Sequence, residues 1–289
     1  MTSNLIPQLL LIALALVMLG LGLSLRLEDF TRLRHHPKAV VIALLLQVLV
    51  LPAVCWSLVK FMQVSPMYAV GMMVLAASPG GVTANLFSHL FGGNVAMNIS
   101  LTAINTVLSI VTLPLISNWA IAEFAAGTPL VPLQFGKLLE VVAVVLVPVM
   151  LGMWVNHTKP ALSALLERPM KIFSILVLVV FALGAISSEW TAMVKSFTEI
   201  GLAVVVFNVV SLLMGYYVSR LTGLERSISA AISFEIGIHN ATLAIFIAAG
   251  VLGSTAIALP AALYSVSMYV TSTLFGFLIL RRGAAPVNP

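Results

Sequence analysis

Residues 72–86, Met72-Met73-Val74-Leu75-Ala76-Ala77-Ser78-Pro79-Gly80-Gly81-Val82-Thr83-Ala84-Asn85-Leu86, carry two opposed instructions. The apolar residues ask for a helix in hydrocarbon, whereas Ser78-Pro79-Gly80-Gly81 interrupts one. Proline removes a backbone donor and glycine destabilises a helix interior. The stretch therefore reads as a helix broken at Pro79, Gly80 and Gly81. Non-helical backbone at bilayer depth persists only where protein or a water-filled cavity satisfies it. A tolerated proline kink, or close packing on glycine, is the plainer reading of the same residues; an internal site is the sharper one.

The rest of the chain places this stretch in a membrane. Of 289 residues, 61% are hydrophobic and 8% charged, against roughly 25% charged in a soluble domain. So little charge cannot cover a water-exposed surface, and most of the outside must face hydrocarbon. At about 20 residues per span, the chain holds about nine or ten helices and leaves no room for a soluble enzymatic domain. The net charge of +5 fits the cytoplasmic bias of membrane loops better than it fits nucleic acid. Cys55, the single cysteine, permits neither an internal disulfide nor a thiolate metal cage and reads as a small buried hydrophobe.

Apolar runs bounded by charge, Pro or Gly predict nine spans, near 5–26, 39–60, 67–90, 94–121, 133–155, 170–188, 198–219, 227–250 and 254–280. The first is too long, and lacks a preceding cation, for a signal peptide. Arg26, Arg32, Arg34, Lys38, Lys159, Arg168, Lys171, Arg220, Arg226, Arg281 and Arg282 fall on one side; Lys60, Lys137 and Lys195 fall on the other. The positive-inside rule then puts the N-terminus outside and the C-terminus in the cytoplasm of a multi-pass inner-membrane protein.

Span 8 carries a second anomaly, Glu235-Ile236-Gly237-Ile238-His239-Asn240, near its centre. One intramembrane carboxylate costs on the order of 3 kcal/mol or more, so Glu235 needs partners, and Gly237 marks a second break. Glu140, by contrast, lies near a helix end and can snorkel to the interface. In span 4, Asn94, Asn98, Thr102, Asn105, Ser109 and Thr112 share one helical face, a polar stripe across the membrane. Ser109 and Thr112 suit interhelical glue equally well; Asn98, Thr102 and Asn105 point to a lined cavity. Gln47 in span 2 either bonds a neighbouring helix or supplies an amide oxygen to an ion. Tyr264, Ser265, Ser267, Thr271 and Ser272 form a polar patch in span 9. Asn208 reads as packing, and His239, the mid-membrane histidine, is either a neutral hydrogen-bonding group or functional.

Two interrupted spans, five apart in the chain, are what an inverted-repeat transporter provides, with half-helix ends meeting at the midplane. Spans 5–9 would form one repeat and spans 1–4 a repeat lacking its first member. Freed carbonyls and helix C-termini favour a cation, and N-termini an anion. The candidate ligands are oxygens, which suit a hard ion such as sodium; zinc would want more histidine.

These residues resemble the bile acid:sodium symporter family. The likeness rests on Gly20-Leu21-Gly22-Leu23-Ser24-Leu25 with Asp29-Phe30, His36-Pro37-Lys38, Gln47 with Pro52, Ser78-Pro79-Gly80-Gly81 through Asn85, Gly93-Asn94-Val95-Ala96, and Glu235-Ile236-Gly237 with Asn240. It covers nearly the whole chain. The resemblance implies an all-α polytopic fold in which two broken helices cross. Spans 1, 5 and 6 would form a panel domain and the other six a core domain. It implies one sodium site from Ala84, Asn85, Asn98, Thr102 and Glu235, with asparagine at 98 where the family usually has serine. A second would use Gln47, Glu235, Ile236, Ile238 and His239. His239 departs from the family's usual glutamine, and an imidazole nitrogen is a poorer ligand for a hard ion. Titration of His239 beside Glu235 is expected to make transport pH-sensitive. The resemblance also implies substrate contact at Asn240 and Met268; Thr83 and Thr242 at the half-helix N-termini would join them.

The leading expectation is a symporter that imports an organic anion, bile-acid-like or a small carboxylate such as pantoate, with one or two Na+ by alternating access. No other partner beyond the bilayer is implied, and a monomer suffices. A proton-coupled carrier or an exporter on the same scaffold is the alternative. Related arsenite exporters depend on a cysteine near the first break, where this chain has Ala76-Ala77-Ser78-Pro79. A channel would show rings of repeated carbonyl or charged groups. An enzyme would show a nucleophile beside a base, and the spans contain neither feature.

Overall fold

The computed structural model describes residues 5–127, 135–166, 169–170, 172–173, 176 and 190–281. Every element of regular structure among them is helical. In chain order they are α1 (Leu5–Ser24), α2 (Leu27–Arg32), α3 (Pro37–Phe61), α4 (Pro66–Ala77), α5 (Thr83–Leu90) and α6 (Val95–Phe124). There follow α7 (Phe135–Thr158), α8 (Trp190–Leu221), α9 (Arg226–Gly237), α10 (Ala241–Val251) and α11 (Thr255–Leu280). By length and composition, Pro37–Phe61, Val95–Phe124, Phe197–Leu221 and Thr255–Leu280 can each cross a membrane. The span expected near 170–188 falls almost wholly outside the described residues.

Local chemistry sets many of the boundaries. Pro37 and Pro66 open α3 and α4 at the first helical position, where a missing N–H costs nothing. Asn94 caps α6 by accepting from Met97 N–H at 2.9 Å, and Asn240 caps α10 by accepting from Leu243 N–H at 3.1 Å. Within α3 the turn Leu46–Val50 widens to a π-turn, Leu51 N–H reaching Leu46 O. Pro52 explains the widening: its ring crowds the carbonyl four residues back and it has no N–H to give.

The spans expected to break near Pro79-Gly80-Gly81 and Gly237 are each two helices, α4 with α5 and α9 with α10. Residues 69–77 of α4 and 228–237 of α9 are buried all round, as their nearly continuous apolar sequences require. Helix α4 packs on α3, α6 and α11, while α9 packs on α8, α5 and α6. Helix α1 lies along α7. A Cβ on Gly22 would stand 2.2 Å from Val149 O, so only glycine lets these two backbones approach. Asn156 Nδ2 and Ser163 Oγ then donate to Leu25 O and Leu23 O at 2.9 and 2.7 Å. Large apolar side chains such as Leu49, Val111, Leu115 and Leu202 remain exposed, a surface suited to lipid contact.

Candidate functional site

The two breaks meet back to back. Gly80 and His239 form an isolated antiparallel bridge, flanked by Gly81 N–H to Ile238 O at 2.6 Å and Asn240 N–H to Pro79 O at 2.8 Å. Backbone groups that the breaks release from helices α4 and α9 thus satisfy one another, as a low-dielectric interior demands.

Glu235, fully buried in the last turn of α9, reaches this crossing. Thr102 Oγ1 donates to Glu235 Oε2 at 2.6 Å and Asn105 Nδ2 to Oε1 at 2.9 Å. A Cβ on Gly80 would sit 2.3 Å from the Glu235 carboxyl carbon. Glycine at 80 is therefore what admits the carboxylate to the break. Thr102 and Asn105 come from the polar face of α6. Asn98, one turn earlier, donates to Ser88 Oγ at 2.9 Å and to Ala231 O at 2.8 Å.

Near the crossing, several side-chain acceptors lack donors. Gln47 Oε1, Asn85 Oδ1, Asn98 Oδ1 and Asn105 Oδ1 are buried and have no hydrogen-bond partner among the described residues, and neither has His239 Nε2. The orientation of three of these amides is fixed by chemistry. Gln47, Asn98 and Asn105 each direct nitrogen at a carbonyl or carboxylate that only accepts, which turns the oxygen away. Buried acceptors left bare cost about 1–3 kcal/mol each. Four amide oxygens with a carboxylate nearby are a donor set that a hard cation would satisfy.

Of the residues named from sequence, Thr102 and Glu235 are in direct contact and Asn98 lies one turn along α6. Ala84 and Asn85 stand in the first turn of α5, Ala84 buried. Gln47 and His239 meet at a different atom: Gln47 Nε2 and His239 Nδ1 lie 2.9 and 3.1 Å from Ser78 O. The lone pairs of that carbonyl fix the tautomer, with hydrogen on Nδ1. Ile238 O is engaged by Gly81 N–H, and Ile236 is buried. Asn105, read from sequence only as part of the lining, is a direct partner of the carboxylate.

Asn208 also stands at the crossing. Its Nδ2 donates to Gly237 O and Tyr264 Oη, each at 2.6 Å, and Tyr264 Oη donates to Gly237 O at 2.8 Å. The Thr271 hydroxyl donates to Asn208 Oδ1. The His239 ring lies between Phe207, stacked at 5.8 Å, and Tyr264, edge-on at 5.4 Å. A signal for Asn208 was present in the sequence, since it is a mid-span amide on the helix before the second break, as Gln47 is before the first.

Beside the crossing lies a cleft of about 70 Å³. Thr83, Asn240, Thr242 and Met268, the four candidate substrate residues, all line it, with Tyr269 and Val17 of α1. The first residues of α5 and α10 are both in its wall, so two helix N-termini open on one space. Thr83 Oγ1 lies 3.5 Å from Tyr269 Oη.

Fold and site together define a multi-pass helical membrane protein with a polar crossing sealed inside it. Motif resemblance and overall similarity agree on its family. The chain belongs to the Sodium Bile acid symporter family, whose profile matches residues 11–220. It is 28% identical over 260 residues to the "Probable sodium/metabolite cotransporter BASS1, chloroplastic" of Arabidopsis thaliana, covering 90% of this chain and 64% of that protein. It is 28% identical over 251 residues to the rice protein of the same name, covering 87% of this chain and 61% of that protein. The "Uncharacterized sodium-dependent transporter YocS" of Bacillus subtilis is 26% identical over 244 residues, 84% of this chain and 74% of that protein. The chain thus spans about three fifths of the length of these two plant proteins. The family is one of transporters, not enzymes.

Proposed function

We propose that this protein is a sodium-coupled symporter that imports a small organic anion, with Glu235 as the fixed charge of the cation site. The observation that carries the reading is the excess of buried acceptors: one carboxylate and four bare amide oxygens at a crossing that also opens two helix N-termini onto a cleft. Sodium would be held by Glu235, Thr102, Asn98, Asn105 and Asn85. Gln47 and His239, both anchored on Ser78 O, would border a second ion near the Ile236 and Ile238 carbonyls. The anion would occupy the cleft, its charge met by backbone N–H groups of α5 and α10 and by Thr83, Asn240 and Thr242, with Met268 as apolar wall. No Lys or Arg lines the cleft among the described residues, which favours a monoanion. Its volume of about 70 Å³ is far below the roughly 300–1,000 Å³ of drug-sized pockets and favours a compact carboxylate over a bile-acid-like one.

In this reading nine spans cross the inner membrane with the N-terminus outside and the C-terminus in the cytoplasm. Two inverted repeats supply the crossed helices. Helices α1 and α7, with the span near 170–188, act as a panel against which the remaining core rocks to alternate access. The closeness of the α1 and α7 backbones supports their moving as one body. Uptake of radiolabelled carboxylates into proteoliposomes under an inward sodium gradient tests the proposal. A carboxylate accumulated with sodium and not with choline is expected; accumulation driven equally by a proton gradient alone would favour the proton-coupled alternative, for which the bare Nε2 of His239 is the candidate carrier.

A further inference from the structure

A second cavity, of about 190 Å³, lies between α8 and α11 and is lined almost wholly by apolar side chains. Leu212 and Phe275 form a buried floor, only 1% and 6% exposed, while Val209 and Leu278 at the rim are 38% and 53% exposed. A lined floor with an open apolar rim on a membrane-spanning surface is a groove for hydrocarbon rather than for water. Its axis runs toward charge. On α8, Val209, Leu213 and Arg220 succeed one another at spacings of four and seven and share a face, and Arg220 stands about 10 Å beyond Leu213 at 1.5 Å per residue. Arg220 is exposed and gives one guanidinium donor to Leu224 O at 2.5 Å, which leaves the others for a ligand. Lys38 donates to Thr222 O at the same helix end, and Arg226 follows at the start of α9. In sequence, Arg220 and Arg226 bracket Glu225, and Lys38 brings a third cation to Thr222.

We propose that this groove binds an anionic phospholipid, one acyl chain between α8 and α11 and the phosphate at Arg220. Apolar groove and cationic end, separated by about two helical turns, match a lipid tail and its headgroup and suit neither a soluble peptide nor a neutral lipid. Occupancy bears on the transport machinery directly. Thr271 belongs to the groove wall, and its hydroxyl donates to Asn208 Oδ1, whose amide nitrogen holds Gly237 O of the second break. A lipid tail pressed between α8 and α11 would hold that knot together.

The test compares thermal unfolding of the purified protein in neutral detergent with added phosphatidylglycerol or phosphatidylcholine of identical chains. Phosphatidylglycerol is expected to raise Tm by about 5 °C more than phosphatidylcholine. Leu278→Trp, which fills the groove, and Arg220→Gln, which removes the headgroup partner, should each abolish the difference. Equal stabilisation by the two lipids overturns the proposal. So does a phosphatidylglycerol increment that survives in a folded Leu278→Trp protein. If Leu278→Trp does not fold, Val209→Trp fills the groove from the opposite wall, and an unchanged increment in Arg220→Gln is equally decisive. Stabilisation that tracks protein concentration instead of lipid would assign the groove to a second copy of the chain and also overturn it.

Discussion

Ser78 O and Gly237 O hold matching places in the two breaks, each two residues before the paired Gly80 and His239, and each receives an amide from the helix preceding its break. Gln47 Nε2 serves the first at 2.9 Å and Asn208 Nδ2 the second at 2.6 Å. From there the two halves diverge. Asn208 Oδ1 is met by the Thr271 hydroxyl, and Tyr264 Oη doubles the hold on Gly237 O, so this side is closed by donors. Gln47 Oε1 has no donor among the described residues, nor have the oxygens of Asn85, Asn98 and Asn105. The residue that matches Glu235 in the first break, counted from the same pairing, is Ala76. One geometry thus serves two ends: a saturated knot that fixes backbone, and an acceptor-rich pocket that suits a cation.

Substitutions that erase the difference should have the largest effects. Glu235→Gln removes the charge and is expected to lower sodium affinity on the order of 100-fold or more, since removing one partner of a buried charge pair costs about 3–5 kcal/mol; sodium dependence of uptake in proteoliposomes measures it. Gly80→Ala comes next. Its methyl would meet the Glu235 carboxyl carbon at 2.3 Å, so overpacking of about 1–3 kcal/mol and a displaced carboxylate should appear together as a lower Tm and roughly 10-fold or greater loss of sodium affinity. Thr102→Val deletes one donor to the carboxylate and should cost about 10-fold in sodium affinity, consistent with about 1–3 kcal/mol for a lost buried partner.

The opposite half should respond in the other currency. Asn208→Leu strips the knot and is expected to lower Tm by several degrees, at about 2–4 °C per kcal/mol for a chain of this size, while sodium affinity stays within about twofold. An equal loss of sodium affinity would erase the distinction between the two halves. The smallest effect is expected at His239. A proton on this buried ring would add positive charge beside the cation pocket, so uptake should fall as pH is lowered, and His239→Gln should flatten the profile; identical profiles would remove His239 from the coupling.

Much of this was legible in the residues. Pro79-Gly80-Gly81 and Gly237 announced both breaks because backbone rules act locally, and a lone carboxylate in hydrocarbon announced Glu235. The polar face of α6 was countable from its spacing. What could not be read was pairing across space. Nothing in the chain says that Gln47 and His239 share the Ser78 carbonyl, or that Asn208, which read as packing, grips Gly237 O. Asn105 was visible on the stripe, but its bond to Glu235 depends on how α6 rotates against α9. The π-turn at Leu46–Val50 in α3, just before Pro52, was not read from the sequence and emerges only once the helix is packed.

The claim that one half of the crossing holds sodium is tested most directly by titrating sodium against thermal unfolding of the purified protein, with choline as the control. Sodium should raise the Tm of wild type and of Asn208→Leu along the same saturable curve and leave Glu235→Gln unmoved. A Glu235→Gln protein that keeps the sodium-dependent shift, or a wild type that responds equally to choline, would contradict it.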